Sequence, residues 1–493
     1  MLKGNPLIKN PDLQNSPELK TLPGKKSHII IVVAIGTFMS ALDSSIVNIS
    51  LPKISNYFSV NITTVEWVIL SYLLIISSLL LTYGRMGDLY GHNRIYKLGF
   101  IIFTAGSVLC ALSSSIILLI LFRGLQAVGA GMLMAMGPAI ITLNVPVRER
   151  GRSLGIIAIS VSIALAIGPV IGGLLTSYFG WQSIFLINIP IGIAAFIWSY
   201  KVIPYTKNKE SVPFDYAGAL LLFLALACII FPLSYADKVG WVNPIIIVLL
   251  VAGVIFLLLF IIIERKLKHP MFDFSLFKNR LFSMGNLSLL FSFMAQFLLT
   301  LLIPFYLIEL RHMQESRAGL ILIASPIIVM IVAPIAGYIS DRVDTRYLSS
   351  GGMAITTIGL FLMSTIKSDT KILIIIIYLI IIGFGIGTFQ TPNNSAIMGA
   401  VPASRYGVAS SMLAAMRNLG MVLGITLSGT IFSSRYNYLN KILPKEGLSG
   451  VALNNVAFIG AMQLTLIVAT FLAVLAVFAS LVRGPLNKKN NQI

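Results

Sequence analysis

Asp43 stands in "FMSALDSSIVNISLP" (38–52), inside the first long apolar stretch of a 493-residue chain. A carboxylate near the centre of a bilayer costs about 2.5–3.5 kcal/mol on insertion scales, so an acid kept there is a functional candidate by default. At 100° per residue, Gly36, Thr37, Ser40, Asp43, Ser44 and Asn48 fall within about 140° of helical arc, interrupted only by Val47. Such a stripe must face the interior of a helix bundle or a wet cavity. Arg123, in "FRGLQAVGAG" (122–131), lies as far from the outer end of its own apolar run as Asp43 does from the outer end of the first. At ~1.5 Å per residue, both come roughly 11–12 Å below the same surface. A cationic partner favours the charged carboxylate, whereas desolvation disfavours it. A group held between these effects changes protonation with hydration or with a bound cation, as proton-coupled exchange requires. The alternative is a structural Asp43, hydrogen-bonded to neighbouring helices.

The elements that position these residues follow from composition. The chain is 57% hydrophobic and only 11% charged, where soluble proteins carry about 25% charged residues. Its mean hydropathy is +0.91. These values imply an all-α integral membrane protein. Runs long enough to span occur near 29–50, 65–84, 95–113, 116–142, 152–178, 183–203, 214–235, 243–263, 281–306, 317–339, 347–366, 371–398, 407–433 and 456–482. Fourteen spans are thus expected. The net charge of +19 sits in short loops between apolar runs, which is an orientation signal rather than a nucleic-acid face. Most Lys and Arg fall in alternate loops together with the two tails, which puts both termini in the cytoplasm.

Two segments echo each other. "GRMGDLYG" (84–91) follows the second span and "GYISDRVD" (337–344) the tenth, with one interval separating both Gly84 from Gly337 and Asp88 from Asp341. The expected organisation is a cytoplasmic tail (1–28), an N-terminal six-helix bundle (29–203), two extra helices with their loops (204–280), a C-terminal six-helix bundle (281–482) and a cytoplasmic tail (483–493). Parallel repeats of this kind are a transporter architecture.

Five segments carry a family resemblance. "LDSSIVNISLP" (42–52), "GRMGDLYGHNR" (84–94), "FRGLQAVGAG" (122–131), "GPVIGG" (168–173) and "GWQSIFLINIPIG" (180–192) occur in order on the expected spans. Together they resemble the fourteen-helix drug:proton antiporter branch of the major facilitator superfamily, across nearly the whole chain. Gln182 departs from that pattern, where Arg is customary. The resemblance implies the major facilitator fold and multidrug efflux, and it associates the small-residue motif Gly168, Pro169, Gly172 and Gly173 with export. Physically, Ala164, Gly168 and Gly172 form one smooth stripe suited either to ordinary packing or to a surface that slides between bundles. In the 84–94 segment, Gly84 and Gly91 permit tight turning. Arg85, Asp88 and Arg94 offer an ionic latch, echoed by Asp341 and Arg342; the alternative is a solvated loop.

Asn48, Trp67, Tyr72, Gln126 and Arg417 are the candidate substrate-cavity residues. Arg417, in "MRNLGMVLG" (416–424), could equally tie two C-terminal helices together, and aromatics near helix ends are often interfacial anchors. Neither a metal site nor a cofactor is expected: Cys110 and Cys228 lie in apolar segments, the four histidines are scattered, and no nucleotide-binding motif occurs. The expected function is export of amphipathic organic compounds in exchange for protons by a monomer in a prokaryotic cell membrane, without catalysis. A dedicated exporter of one metabolite or siderophore and a passive facilitator or channel are the alternatives.

Overall fold

The structure, a computed structural model, describes residues 23–484 apart from 205–215, 241, 268–273, 341, 403–405 and 447. It is helical throughout, and the helices follow the apolar runs. The first part of the chain forms α1 (Pro23–Phe58), α2 (Ile62–Val65), α3 (Trp67–Tyr90), α4 (His92–Ala111), α5 (Ile116–Asn144), α6 (Val147–Phe179), α7 (Ser183–Leu186) and α8 (Asn188–Val202). Then come α9 (Tyr216–Val239) and α10 (Pro244–Lys266). The last part forms α11 (Arg280–Phe305), α12 (Glu315–Leu322), α13 (Ala324–Ser340), α14 (Thr345–Met363), α15 (Ile372–Gly399), α16 (Tyr406–Ile442) and α17 (Gly450–Val482).

Starts are fixed by polar caps that satisfy otherwise orphaned amides. Asn61 accepts from the Thr64 amide, Ser115 from Leu118, Asn243 from Ile245, and Asn279 from Leu281 and Phe282. Three expected spans are broken near one end, where single residues join α2 to α3 (Glu66), α7 to α8 (Ile187) and α12 to α13 (Ile323). Among the described residues, twelve helices are long and apolar enough to cross a membrane. The other two expected spans are helical as well. One is α9, whose apolar core is Leu220–Ala236, and the other is α14, which does not reach the same standard. Helices also outrun their apolar stretches: α16 continues through "SSRYNYLNKI" to Ile442, so much of the loop expected at 434–455 is helix.

Helix contacts fall into two groups. In the first, α1 packs on α6, α5 and α8, while α4 and α3 pack on α5. In the second, α11 packs on α16 and α17, and α15 packs on α14 and α13. α9 and α10 pair with each other, and α9 touches both α3 and α16. With lipid as apolar as leucine, close packing rather than hydrophobicity must join the helices.

The groups meet chiefly where α6 crosses α12, and also where α3 touches α16 and α1 touches α11. A Cβ on Gly173 would stand 2.3 Å from the Glu315 carbonyl oxygen, and one on Gly319 2.3 Å from that of Pro169. At the far end of α1 from Pro23, Lys53 pairs with Glu315 at 3.4 Å. Ser177 donates to the Glu315 carboxylate at 3.1 Å and accepts from the Ser316 amide at 3.0 Å. The stripe of Ala164, Gly168 and Gly172 does not face this seam. It lies against α1, at Ser45 and Ile46. The close backbone approach between the groups is therefore made by Gly173 and Gly319, because the stripe is taken up inside the first group.

Candidate functional site

Asp43 is fully buried in the interior of the helix bundle, and its partners come from two other helices. On α5, one turn apart, Arg123 and Gln126 point to the same place. The Arg123 Nη1 donates to Asp43 Oδ2 and, at 2.7 Å, to Gln126 Oε1. Gln126 Nε2 donates to Asp43 Oδ1 at 2.9 Å and to Ser107 of α4 at 2.8 Å. Asn188, the first residue of α8, donates to the same Oδ1 at 2.8 Å. Asp43 thus accepts three donors, which fits an ionised carboxylate, an acceptor at both oxygens with about four lone-pair sites.

The guanidinium is held from other directions too. Its Nε donates to the Val68 carbonyl at 3.0 Å. Its central carbon lies 4.2 Å from the ring centre of Tyr72 and 5.6 Å from that of Phe185. Tyr72 in turn donates to the Ser40 carbonyl at 3.0 Å. Both charges are 0% exposed. A buried pair is held only if its geometry and extra hydrogen bonds offset desolvation, and Gln126, Asn188, Val68 and Tyr72 supply that support.

The structure brings Asp43 and Arg123 together and adds Tyr72 and Gln126 to their shell. Those two, expected in the substrate cavity, are buried in the ion-pair site because their helices face inward at its depth. Asn48 is half-buried, with Nδ2 3.5 Å from the Ser44 carbonyl oxygen, and Trp67 packs against Phe231 of α9 with ring centres 5.8 Å apart. Arg417 is half-buried on α16, and its Nε has no hydrogen-bond partner among the described residues. Asn188 and Ser107 were missed by motif reading. The available signal was an amide in the apolar run "FLINIPIG".

The 84–94 segment differs from the expected turn. Gly84, Arg85 and Asp88 fall within α3, and only Gly91 turns the chain, at φ +94°. A helix tolerates glycine when its neighbours pack well, so Gly84 need not end it. The side-chain surroundings of Arg85 and Asp88 lie outside what the structure describes, as does Asp341 entirely. Arg94 is exposed, and Arg342 stacks on Tyr338 at 4.6 Å. Among the described residues, no three His, Cys, Asp or Glu side chains gather where they could hold a metal ion.

A polar site buried at the heart of a helical, membrane-spanning chain is a transporter feature, and sequence comparison agrees. The model of the Major Facilitator Superfamily matches residues 33–425. The chain belongs to that superfamily. It is 38% identical over 434 residues to the riboflavin transporter RibZ of Clostridioides difficile (strain 630), covering 88% of this chain and 94% of that one. It is 30% identical over 406 residues to the multidrug resistance protein Stp of Mycobacterium tuberculosis (strain ATCC 25618 / H37Rv), covering 82% and 75% of the two chains. With other multidrug transport and resistance proteins among its relatives, it falls in the drug-efflux branch of the superfamily. The fold resembles the crystal structure of a bacterial homolog to the human lysosomal transporter Spinster, with a TM-score of 0.68 and 15% identity over 93% of this chain and 96% of that one.

Proposed function

We propose that this protein exports amphipathic organic compounds across the cell membrane in exchange for protons, by alternating access. The carrying observation is the Asp43–Arg123 pair, fully buried and held by Gln126 and Asn188. A membrane-interior carboxylate that can be neutral or charged is the element a proton-driven exchanger needs and a passive pore does not. In this reading there are fourteen spans, both termini are cytoplasmic, and two six-helix bundles (29–203 and 281–482) rock about a shared cavity with the extra pair between them. Asn48, Trp67 and Arg417 contact substrate. Arg85, Asp88, Arg94, Asp341 and Arg342 form a cytoplasmic latch. The chain acts as a monomer and needs only lipid, substrate and protons.

The likeness to RibZ at 38% identity favours a second reading, in which the cargo is a single metabolite rather than a range of drugs. Growth panels of toxic compounds on a pump-deleted host distinguish the two. The proton-coupled reading is tested in proteoliposomes with an imposed pH gradient. Asp43→Asn keeps the shape but cannot titrate, so it should abolish gradient-driven flux while retaining downhill equilibration. Full gradient-driven flux in that variant would place coupling elsewhere, with Glu66 at the break before α3 the next residue to replace.

A further inference from the structure

Protonation changes what Asp43 asks of its neighbours. The ionised form accepts at both oxygens, but the acid carries an O–H that must itself donate. Two of the three present donors cannot adapt. Arg123 has no acceptor atom at all. Gln126 is locked by its own network: its Nε2 also donates to Ser107, and its Oε1 accepts from Arg123 Nη1 and lies 3.7 Å from Cys110 Sγ. Turning that amide over would break every one of these contacts.

Asn188 is different. Its Nδ2 bond to Asp43 Oδ1 is the one side-chain hydrogen bond it makes among the described residues, which leaves its Oδ1 uncommitted to any other group there. The terminal torsion of an asparagine is broad and roughly two-fold, so the amide can turn over at little cost. The residue also sits just after the Ile187 break, on a helix that begins there. With Asp43 ionised, Asn188 must present Nδ2. With Asp43 protonated on Oδ1, the turned amide would present its own oxygen as the acceptor.

Building on the proton-coupled reading, we propose that Asn188 is the switchable partner of Asp43, donating to the carboxylate and accepting from the acid. It is a positioning residue: the proton comes from water and resides on Asp43 Oδ1, and no other bond is made or broken. The remaining titratable groups around the pair are Arg123 on α5, Tyr72 on α3 and Cys110 on α4. None of them is free to exchange donor for acceptor toward Oδ1, since Tyr72 points to the Ser40 carbonyl and Cys110 to Gln126. The same segment also links the site to the far end. Phe185 on α7 packs on Arg123, and Trp181 packs on Phe185, Tyr57 and Phe58, with ring centres 5.5–6.2 Å apart.

The test is an infrared pH titration of the purified full-length protein, following the carboxylic acid C=O band that Asp43→Asn removes and the amide bands of isotope-labelled asparagine. In the wild type, an asparagine amide band should shift with the Asp43 midpoint. Asn188→Leu, which keeps the branch at Cγ but offers neither donor nor acceptor, should abolish that amide shift and move the midpoint upward by about one pH unit, because a charge-assisted bond is lost with only a neutral one to offset it. Asn188→Asp should move it further, since two carboxylates cannot both be charged at contact. Asn188→Gln should restore the amide response, which a purely space-filling role would not require. An Asp43 band that titrates identically in Asn188→Leu, or a static amide in the wild type, overturns the switch alone. The absence of any Asp43-dependent band in the wild type would instead sink the proton-coupled reading on which it rests.

Discussion

At the scale of single residues, the Asp43 site depends on Arg123 more than on any other side chain. Removing one partner of a buried ion pair costs about 3–5 kcal/mol, because the other charge is left uncompensated. Arg123→Ala should therefore lower the thermal stability of the purified protein, with a loss of that order. Asp43→Asn should cost less, since the amide still accepts from the guanidinium. Arg123→Lys keeps the charge but loses the planar fork that reaches Asp43, Gln126 and the Val68 carbonyl at once, together with part of the stacking on Tyr72. It should fall between wild type and Arg123→Ala in both melting temperature and gradient-driven transport. Equal stability for Arg123→Ala and wild type would mean that water replaces the guanidinium readily, and that the pair is not sealed.

Among the helices, the seam between α6 and α12 turns on two glycines with backbone pressed against backbone. A carbonyl oxygen cannot yield as a flexible side chain can, so any Cβ at Gly173 or Gly319 must push the helices apart. Gly173→Ala and Gly319→Ala should each slow transport strongly while leaving expression and insertion intact. Gly155→Ala on the same α6 has nothing within 4 Å of the new methyl group and serves as the control. It should be neutral or slightly stabilising, by up to about 1 kcal/mol, through helix propensity. Unimpaired transport in both seam variants would show that the helices are free to separate there. These elements also show what could be read in advance. Helix positions followed from apolar runs, since bilayer thickness sets their length. The Asp43–Arg123 pairing followed from depth, which needs only counting along two helices. The role of Gly173 did not, because a small-residue stripe does not say which neighbour it meets. Gln126 and Tyr72 were assigned to the cavity for the same reason: sequence gives the face of a helix, and only tertiary packing gives what covers it. Asn188 was hidden because its partner is 145 residues away.

Across the whole molecule, the proposed alternating access would have the two helix groups part at the end where Lys53 meets Glu315. The magnitudes rank the contacts that resist this. The Lys53 side chain is 53% exposed, so its pairing with Glu315 contributes about 0–1 kcal/mol and is screened by salt. Ser177 binds the less exposed Glu315 carboxylate directly and also receives the Ser316 amide, and hydrogen bonds to a charged group contribute about 1.5–3 kcal/mol. If this end opens in transport, Ser177→Ala should raise the open population about tenfold, a change of ~1.4 kcal/mol. Lys53→Ala should change it severalfold at most, and less in high salt. The reporter is a cysteine in place of Ala318, which is fully buried on α12, in a chain whose two native cysteines have been replaced. Its labelling rate by a membrane-impermeant maleimide measures opening directly. A Lys53→Ala effect larger than that of Ser177→Ala would reverse the ranking and make the ion pair the principal lock. Rates unchanged in both variants would leave the backbone contact of Gly173 and Gly319 as the element that sets the opening equilibrium.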